Sequence, residues 1–169
     1  MSESENGIQG ADPQRFKDAM AGWASTVTVV AVRGTDDRKI RATTVTSFAP
    51  VSADPPEVVV SLNPSAQVLP FLDVGDLFGI SLLAREQRRW ARIFADPFPV
   101  GAVPWPEDGA PLLPDALAGL ACSVRALHPT EGRSRLVVAR VEALHVSSGA
   151  RPLLYWERTY RGVANEEHE

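Results

Sequence analysis

The sequence predicts a mainly β protein, a barrel of many short strands with two or three flanking helices. Strand-like runs rich in Val, Thr and Ile recur along the chain, turn residues separate them, and few segments show helical periodicity. With 169 residues, 44% of them hydrophobic, the chain can build a single proper core, and neither a repeat nor a second domain is visible.

In order along the chain, residues 1–12 read as a disordered acidic tail and 13–163 as the folded domain, with a second disordered acidic tail at 164–169. Asp12 caps a helix with Pro13 at its first position, and Phe16, Met20 and Trp23 recur at helical spacing, which reads as core packing ahead of cofactor contact. Thr26 to Arg33 is a β-branched strand, and residues 34–37 are a turn. Strands follow at about 39–48 and 57–62, with a short helix or turn over 64–72 opened by Asn63 or Ser65, and a strand from Phe78 to Leu83. Residues 85–95 read as a helix with Trp90, Ile93 and Phe94 on one side and Arg85, Arg88, Arg89 and Arg92 on the other. That arginine stripe is either a solvated face or a phosphate contact. Six prolines and two glycines make 96–115 a long loop, in which Trp105 is either a packing anchor or a cover for a ring system. Three more strands run over 117–127, 135–146 and 152–156, the last pair joined through a turn at Ser148-Gly149.

Charge and motifs exclude several functions. The net charge is −4, and Glu3, Glu5, Asp12, Glu166, Glu167 and Glu169 at the ends more than account for it. Fifteen Arg and two Lys form no basic run suited to nucleic acid. No signal pattern opens the chain and no apolar stretch approaches the ~20 residues of a membrane span, so the expected location is cytoplasmic, with no membrane partner. Cys122, the only cysteine, reads as a small buried hydrophobe, and no metal-type spacing exists. There is no P-loop, GxGxxG, HExxH or GxSxG, and His128, His145 and His168 are scattered singles, so the usual equipment of a hydrolase or a Rossmann domain is missing.

The stretch from Thr43 to Ser65 (TTVTSFAPVSADPPEVVVSLNPS) is the most informative. Two strand patterns meet at a Pro-Pro corner, with Thr43, Thr44, Thr46 and Ser47 before it and Ser61, Asn63 and Ser65 after it. Compact hydroxyl and amide side chains let a backbone lie close to a phosphate or a flat heterocycle, although ordinary β propensity accounts for the same residues. Thr44-Val45-Thr46-Ser47-Phe48, Val51-Ser52, Asp54-Pro55-Pro56 and Ser61-Leu62 resemble the flavin reductase family with the FMN-binding split-barrel fold. The resemblance continues through Phe78 to Leu83 with Gln87, Phe94 and Ala95, then Gly109 to Leu113 with Cys122, then Pro152 to Tyr155 with Tyr160-Arg161. It covers roughly residues 14 to 163 in the expected order.

The resemblance implies a Greek-key type split β-barrel and an NAD(P)H-dependent reductase, which passes a hydride from NADH or NADPH to FMN, or FAD, for a partner monooxygenase. It implies no catalytic side chain of the acid–base kind. Thr44, Val45, Thr46, Ser47 and Phe48 would border the ring and ribityl chain. Ser61, Leu62, Asn63 and Ser65 would bind ribityl and phosphate; Ser81, Leu82, Gln87 and Arg88 would close the phosphate side, with Arg89 a further candidate there. Tyr155, with Trp156 and Tyr160, would sit near the ring or at a homodimer seam. Three positions depart from the pattern: Ala42 stands where the family has Gly before the Thr-containing strand, Ser134 where it often has His, and Ala139 where it has a later Gly. The Ala42 methyl would narrow the approach to the flavin, and Arg133 or Arg135 would meet an anionic substrate or NADPH. Two other readings remain, a flavin-dependent oxidase or oxygenase acting on an organic substrate and a catalytically inactive ligand-binding module.

Overall fold

The computed structural model describes residues 10–35, 37–97, 99 and 103–163; residues 1–9 of the tail expected at 1–12, the tail expected at 164–169 with His168, and Asp36 of the predicted turn lie outside the described residues. Asp12 Oδ1 accepts hydrogen bonds from the backbone N–H groups of Gln14 (2.9 Å) and Arg15 (3.0 Å), and Pro13 opens helix α1 (Pro13–Ala21) as its sequence signal requires. The strands are β1 (Ser25–Thr26), β2 (Thr28–Arg33), β3 (Ile40–Val45), β4 (Phe48–Ala53), β5 (Pro56–Leu62) and β6 (Leu77–Leu82), then β7 (Ala118–Pro129), β8 (Arg135–Val146), β9 (Leu153–Trp156) and β10 (Thr159–Gly162). Helix α2 (Arg88–Ile93) follows β6 through a 3-10 turn at Arg85–Gln87.

Seven strands form one antiparallel sheet in the order β3-β2-β6-β7-β8-β5-β4, and β1, β9 and β10 form a small second sheet. The edge strands β3 and β4 are consecutive in the chain, joined only by Thr46 and Ser47. From Val45 to Phe48 the chain reaches at most about 11 Å. A flat seven-stranded sheet would hold its edges about 29 Å apart. The sheet therefore curls until its edges meet, a barrel split between β3 and β4.

This corner corrects the strand expected over 39–48. The chain leaves one edge at Thr46 and enters the other at Phe48, so Val51-Ser52 lies in strand rather than in the corner. Pro50 is tolerated because β4 pairs on one side only. The helix expected over 85–95 is shorter, and β10 is an addition. Its two-residue turn is Glu157-Arg158, with both residues at positive φ (49° and 58°), a hairpin geometry usually announced by Asn or Gly.

Strand β2 is buried on both faces, which explains its continuous apolar run. Val30 and Val32 point into the barrel with Val60, Phe78, Ile80 and Cys122; Val29 and Ala31 point outward, into a second core with Leu83, Ala91, Phe94 and Leu113. The Cys122 thiol is fully buried and pushed up to about 12, by burial first and by the Glu142 carboxylate second, so it stays an unreactive thiol at neutral pH. Ala139 fills the barrel core and Ala42 the outer one. The Ala42 methyl therefore packs inside the protein instead of narrowing a cofactor approach.

The proline-rich loop covers the outer core. Trp105 packs against Phe94 with ring centroids 5.6 Å apart, a packing anchor. Ser81 Oγ accepts the Leu113 N–H (2.9 Å), Gln87 Nε2 donates to the Pro114 carbonyl (2.7 Å), and Gln87 Oε1 accepts the Ala84 N–H (3.1 Å). Ser81 and Gln87, expected at the phosphate side of a cofactor, are both buried and hold this loop instead. Gly79 completes the fit, since a Cβ there would lie 2.1 Å from the Pro111 carbonyl oxygen.

The α1 stripe corrects a second expectation. Phe16, Met20 and Trp23 are 60%, 47% and 70% exposed, so this chain alone does not bury them. Helix α1 is docked on the β9–β10 hairpin through the Glu157 N–H to Ala21 carbonyl bond (2.8 Å) and the Arg158–Asp18 ion pair (2.6 Å), with its apolar stripe left outward.

Gly79→Ala should destabilise the protein by about 1–3 kcal/mol, because backbone rather than a flexible side chain must yield; urea unfolding of the two proteins measures the difference.

Candidate functional site

Beside the end of β3 lies a groove of about 200 Å³ lined by Thr44, Val45, Thr46, Ala95, Tyr155 and Tyr160. β3 supplies one wall, Ala95 just after α2 another, and the β9–β10 hairpin the third. Of the residues expected at a site, Thr44, Val45, Thr46 and Tyr155 are brought together here. Tyr160, also expected near the ring, and Ala95 complete the groove. Ala95 stands in the Phe94-Ala95 motif of the resemblance, but a lone alanine carries no chemical signal of its own.

The polar groups of this region divide into engaged and unengaged ones. Thr44 is a tie between β3 and α2: its hydroxyl donates to the Ala91 carbonyl (2.8 Å) and its N–H to the Phe94 carbonyl (3.0 Å). Those bonds also cover the outer edge of β3. Ser47 closes the corner by donating its hydroxyl to the Ser61 carbonyl (2.6 Å) and accepting the Ser61 N–H at its own carbonyl (3.0 Å). Asn63 Oδ1 accepts from the Ser65 N–H (3.0 Å) and hydroxyl (2.8 Å), a local turn that fixes both residues. Thr46 Oγ1, Ser61 Oγ and Asn63 Nδ2 have no hydrogen-bond partner among the described residues, and Thr46 is exposed. Phe48, Leu62 and Leu82 pack on the barrel core and give the corner its rigid floor.

The aromatic wall is a tilted pair, Tyr155 and Tyr160, with centroids 5.3 Å apart. Burial raises the Tyr160 pKa above the ordinary phenol value, Tyr155 adds to this, and Arg92 opposes it. Tyr160 therefore remains a neutral hydroxyl throughout the physiological range. Arg88 Nη2 donates to the Tyr160 carbonyl (3.0 Å), which ties α2 to β10 and leaves the rest of its guanidinium on the rim. None of the ion pairs among the described residues involves Arg88, Arg89 or Arg92. Ser134 lies in the β7–β8 turn, where its carbonyl accepts the Thr130 N–H (3.0 Å) and Arg133 takes positive φ (66°). No group of three or more His, Cys, Asp or Glu side chains capable of holding a metal occurs among the described residues. No described helix is long and apolar enough to cross a membrane.

The donor set suits a flavin. Val45 and the tyrosines offer apolar and aromatic surface for a ring, unengaged hydroxyl and amide groups stand at the corner for ring edges and a polyol, and the Arg88 guanidinium, tied to the Tyr160 carbonyl, stands nearby for a phosphate.

A split barrel with such a groove defines an oxidoreductase class whose chemistry resides in a flavin. The chain belongs to the flavin reductase like domain family, whose match spans residues 20–164. It is 36% identical over 152 residues to the reductase component of 4-hydroxyphenylacetate 3-monooxygenase of Thermus thermophilus, covering 88% of this chain and 95% of that protein. It is 35% identical over 159 residues to an NADH-dependent flavin reductase of a Rhodococcus species, covering 89% of this chain and 86% of that one. The solved styrene monooxygenase flavin reductase of Pseudomonas putida superposes with a TM-score of 0.81 at 28% identity, over 90% of this chain and 99% of that one.

Thr44→Val should lower stability by about 1 kcal/mol, the worth of its bond to Ala91, while Thr46→Val leaves thermal stability unchanged. Melting curves of both variants separate the structural threonine from the one available to a ligand.

Proposed function

We propose that this protein is an NADH:flavin oxidoreductase that reduces FMN, or FAD, and delivers the product to a partner monooxygenase. The observation that carries the reading is the groove beside the end of β3, where the paired Tyr155 and Tyr160 rings stand with Thr46, whose hydroxyl the fold leaves unengaged. The names of the relatives support NADH as the donor and a monooxygenase as the recipient. The balanced reaction is NADH + H⁺ + FMN → NAD⁺ + FMNH₂.

Flavin supplies the hydride-accepting chemistry, so the protein needs no strong acid or base. Its own residues position and select. Thr46, Ser61 and Asn63 bind ring edge and ribityl chain, Arg88 with Arg89 holds the phosphate, and Tyr155 and Tyr160 exclude water from one ring face. Ser81 and Gln87 contribute indirectly, by fixing the loop that backs the outer core.

The groove is smaller than the ~300 Å³ at which typical ligand pockets begin, and α1 exposes Phe16, Met20 and Trp23. Both features support a homodimer in which a second copy covers apolar surface and deepens the site.

The test is turnover. Purified protein given FMN should oxidise NADH, followed by the loss of nicotinamide absorbance, and Thr46→Val should lower kcat/KM for FMN about tenfold, the cost of one ligand hydrogen bond. A folded protein that oxidises no NADH with either flavin would overturn the reading.

A further inference from the structure

A second cavity, of about 420 Å³, lies beyond the Asn63–Ser65 turn. Leu69, Leu72 and Leu127 form its apolar walls with Pro64, and two charged side chains, Asp73 and Arg135, reach its lining. Its size falls in the usual range for a small-molecule pocket. Pro64 is three residues from Ser61, at most about 10 Å of extended chain, so the cavity adjoins the corner of the split barrel.

The two charges are set by the fold and do not neutralise each other. The Asp73 N–H donates to Asp76 Oδ2 (2.8 Å), which fixes the turn carrying the carboxylate. Arg135 opens β8, paired with Leu62 on one side and Pro129 on the other. None of the ion pairs among the described residues joins them. Apolar walls, one carboxylate and one guanidinium are the three elements that a purine, a ribose diol and a phosphate require. A carboxylate accepts from the ribose hydroxyls, as in dinucleotide sites generally, and a guanidinium fork matches a phosphate.

We infer that this cavity binds an adenosine 5′-monophosphate moiety, the half of a dinucleotide that takes no part in hydride transfer. The identity of that dinucleotide as NADH or FAD rests on the reductase reading; the recognition chemistry does not. Asp73 further makes the cavity reject a 2′-phosphate through like-charge repulsion, so that Arg135 serves the 5′-phosphate and gives no advantage to NADPH.

Calorimetric titration of the full chain with 5′-AMP, without flavin, tests the inference. AMP should bind, Arg135→Ala should weaken it about tenfold, the scale of a charge-assisted hydrogen bond, and Arg135→Lys should restore part of the loss. Adenosine 2′,5′-bisphosphate should bind about tenfold more weakly than AMP, and Asp73→Asn should narrow that gap. Kinetics then distinguish the sources. If NADH is the occupant, Arg135→Ala raises its KM but leaves the reduced nicotinamide mononucleotide, which lacks AMP, unaffected. If FAD is the occupant, the variant weakens FAD relative to FMN. Absence of AMP binding, or AMP binding indifferent to Arg135, overturns the inference even if NADH oxidation proceeds. Intact AMP binding with no NADH oxidation would instead sink the reductase reading and leave the subsite standing.

Discussion

Two residues, Thr46 and Ser47, impose the constraint on which this structure depends. They join strands at opposite edges of a seven-stranded sheet, and no flat sheet can satisfy so short a link. Closure places Val45, at the end of one edge strand, near Phe48, at the start of the other. The corner then needs its own backbone and hydroxyl partners, which Ser47 and Ser61 supply to each other. The groove lies beside the end of β3, walled on its far side by the β9–β10 hairpin.

The same economy runs through the neighbouring elements. Serine, threonine and glutamine residues that look alike in sequence have different duties. Thr44, Ser81 and Gln87 are saturated by backbone groups and hold α2 or the proline-rich loop. Thr46 and Ser61 keep hydroxyl groups unengaged. Saturated groups give rigidity, and rigidity lets the unengaged groups meet a ligand without reorganising. Cys122, sealed inside the barrel with its thiol held protonated, adds nothing reactive to this arrangement.

Much of the architecture was legible in the sequence because its signals are local. The Asp12-Pro13 cap, the doubly buried run of β2, the proline-rich loop and the single buried cysteine each have a direct chemical signature, and all are found. The groove walls at Thr44, Val45, Thr46 and Tyr155 were legible through ordered motifs of a known family. What escaped depends on partners distant in sequence. The Thr43 to Phe48 run shows no break, since nothing local distinguishes a residue leaving one edge from a residue entering another. The turn before β10 uses Glu157 and Arg158 where glycine or asparagine would have announced it. Periodicity showed that α1 has an apolar face but could not show what covers it. Ser81 and Gln87 have the right chemistry for a phosphate, and only their burial reveals that the loop takes it.

The central claim is that flavin sits at the corner between β3 and β4. A crystal of the protein soaked with FMN tests it directly. The account predicts a planar ring against Val45 and Tyr155, with its edge at Thr46 and its ribityl chain toward Ser61. Ring density elsewhere, such as in the cavity lined by Arg33, Arg38 and Phe71 at the β2–β3 turn, would contradict it.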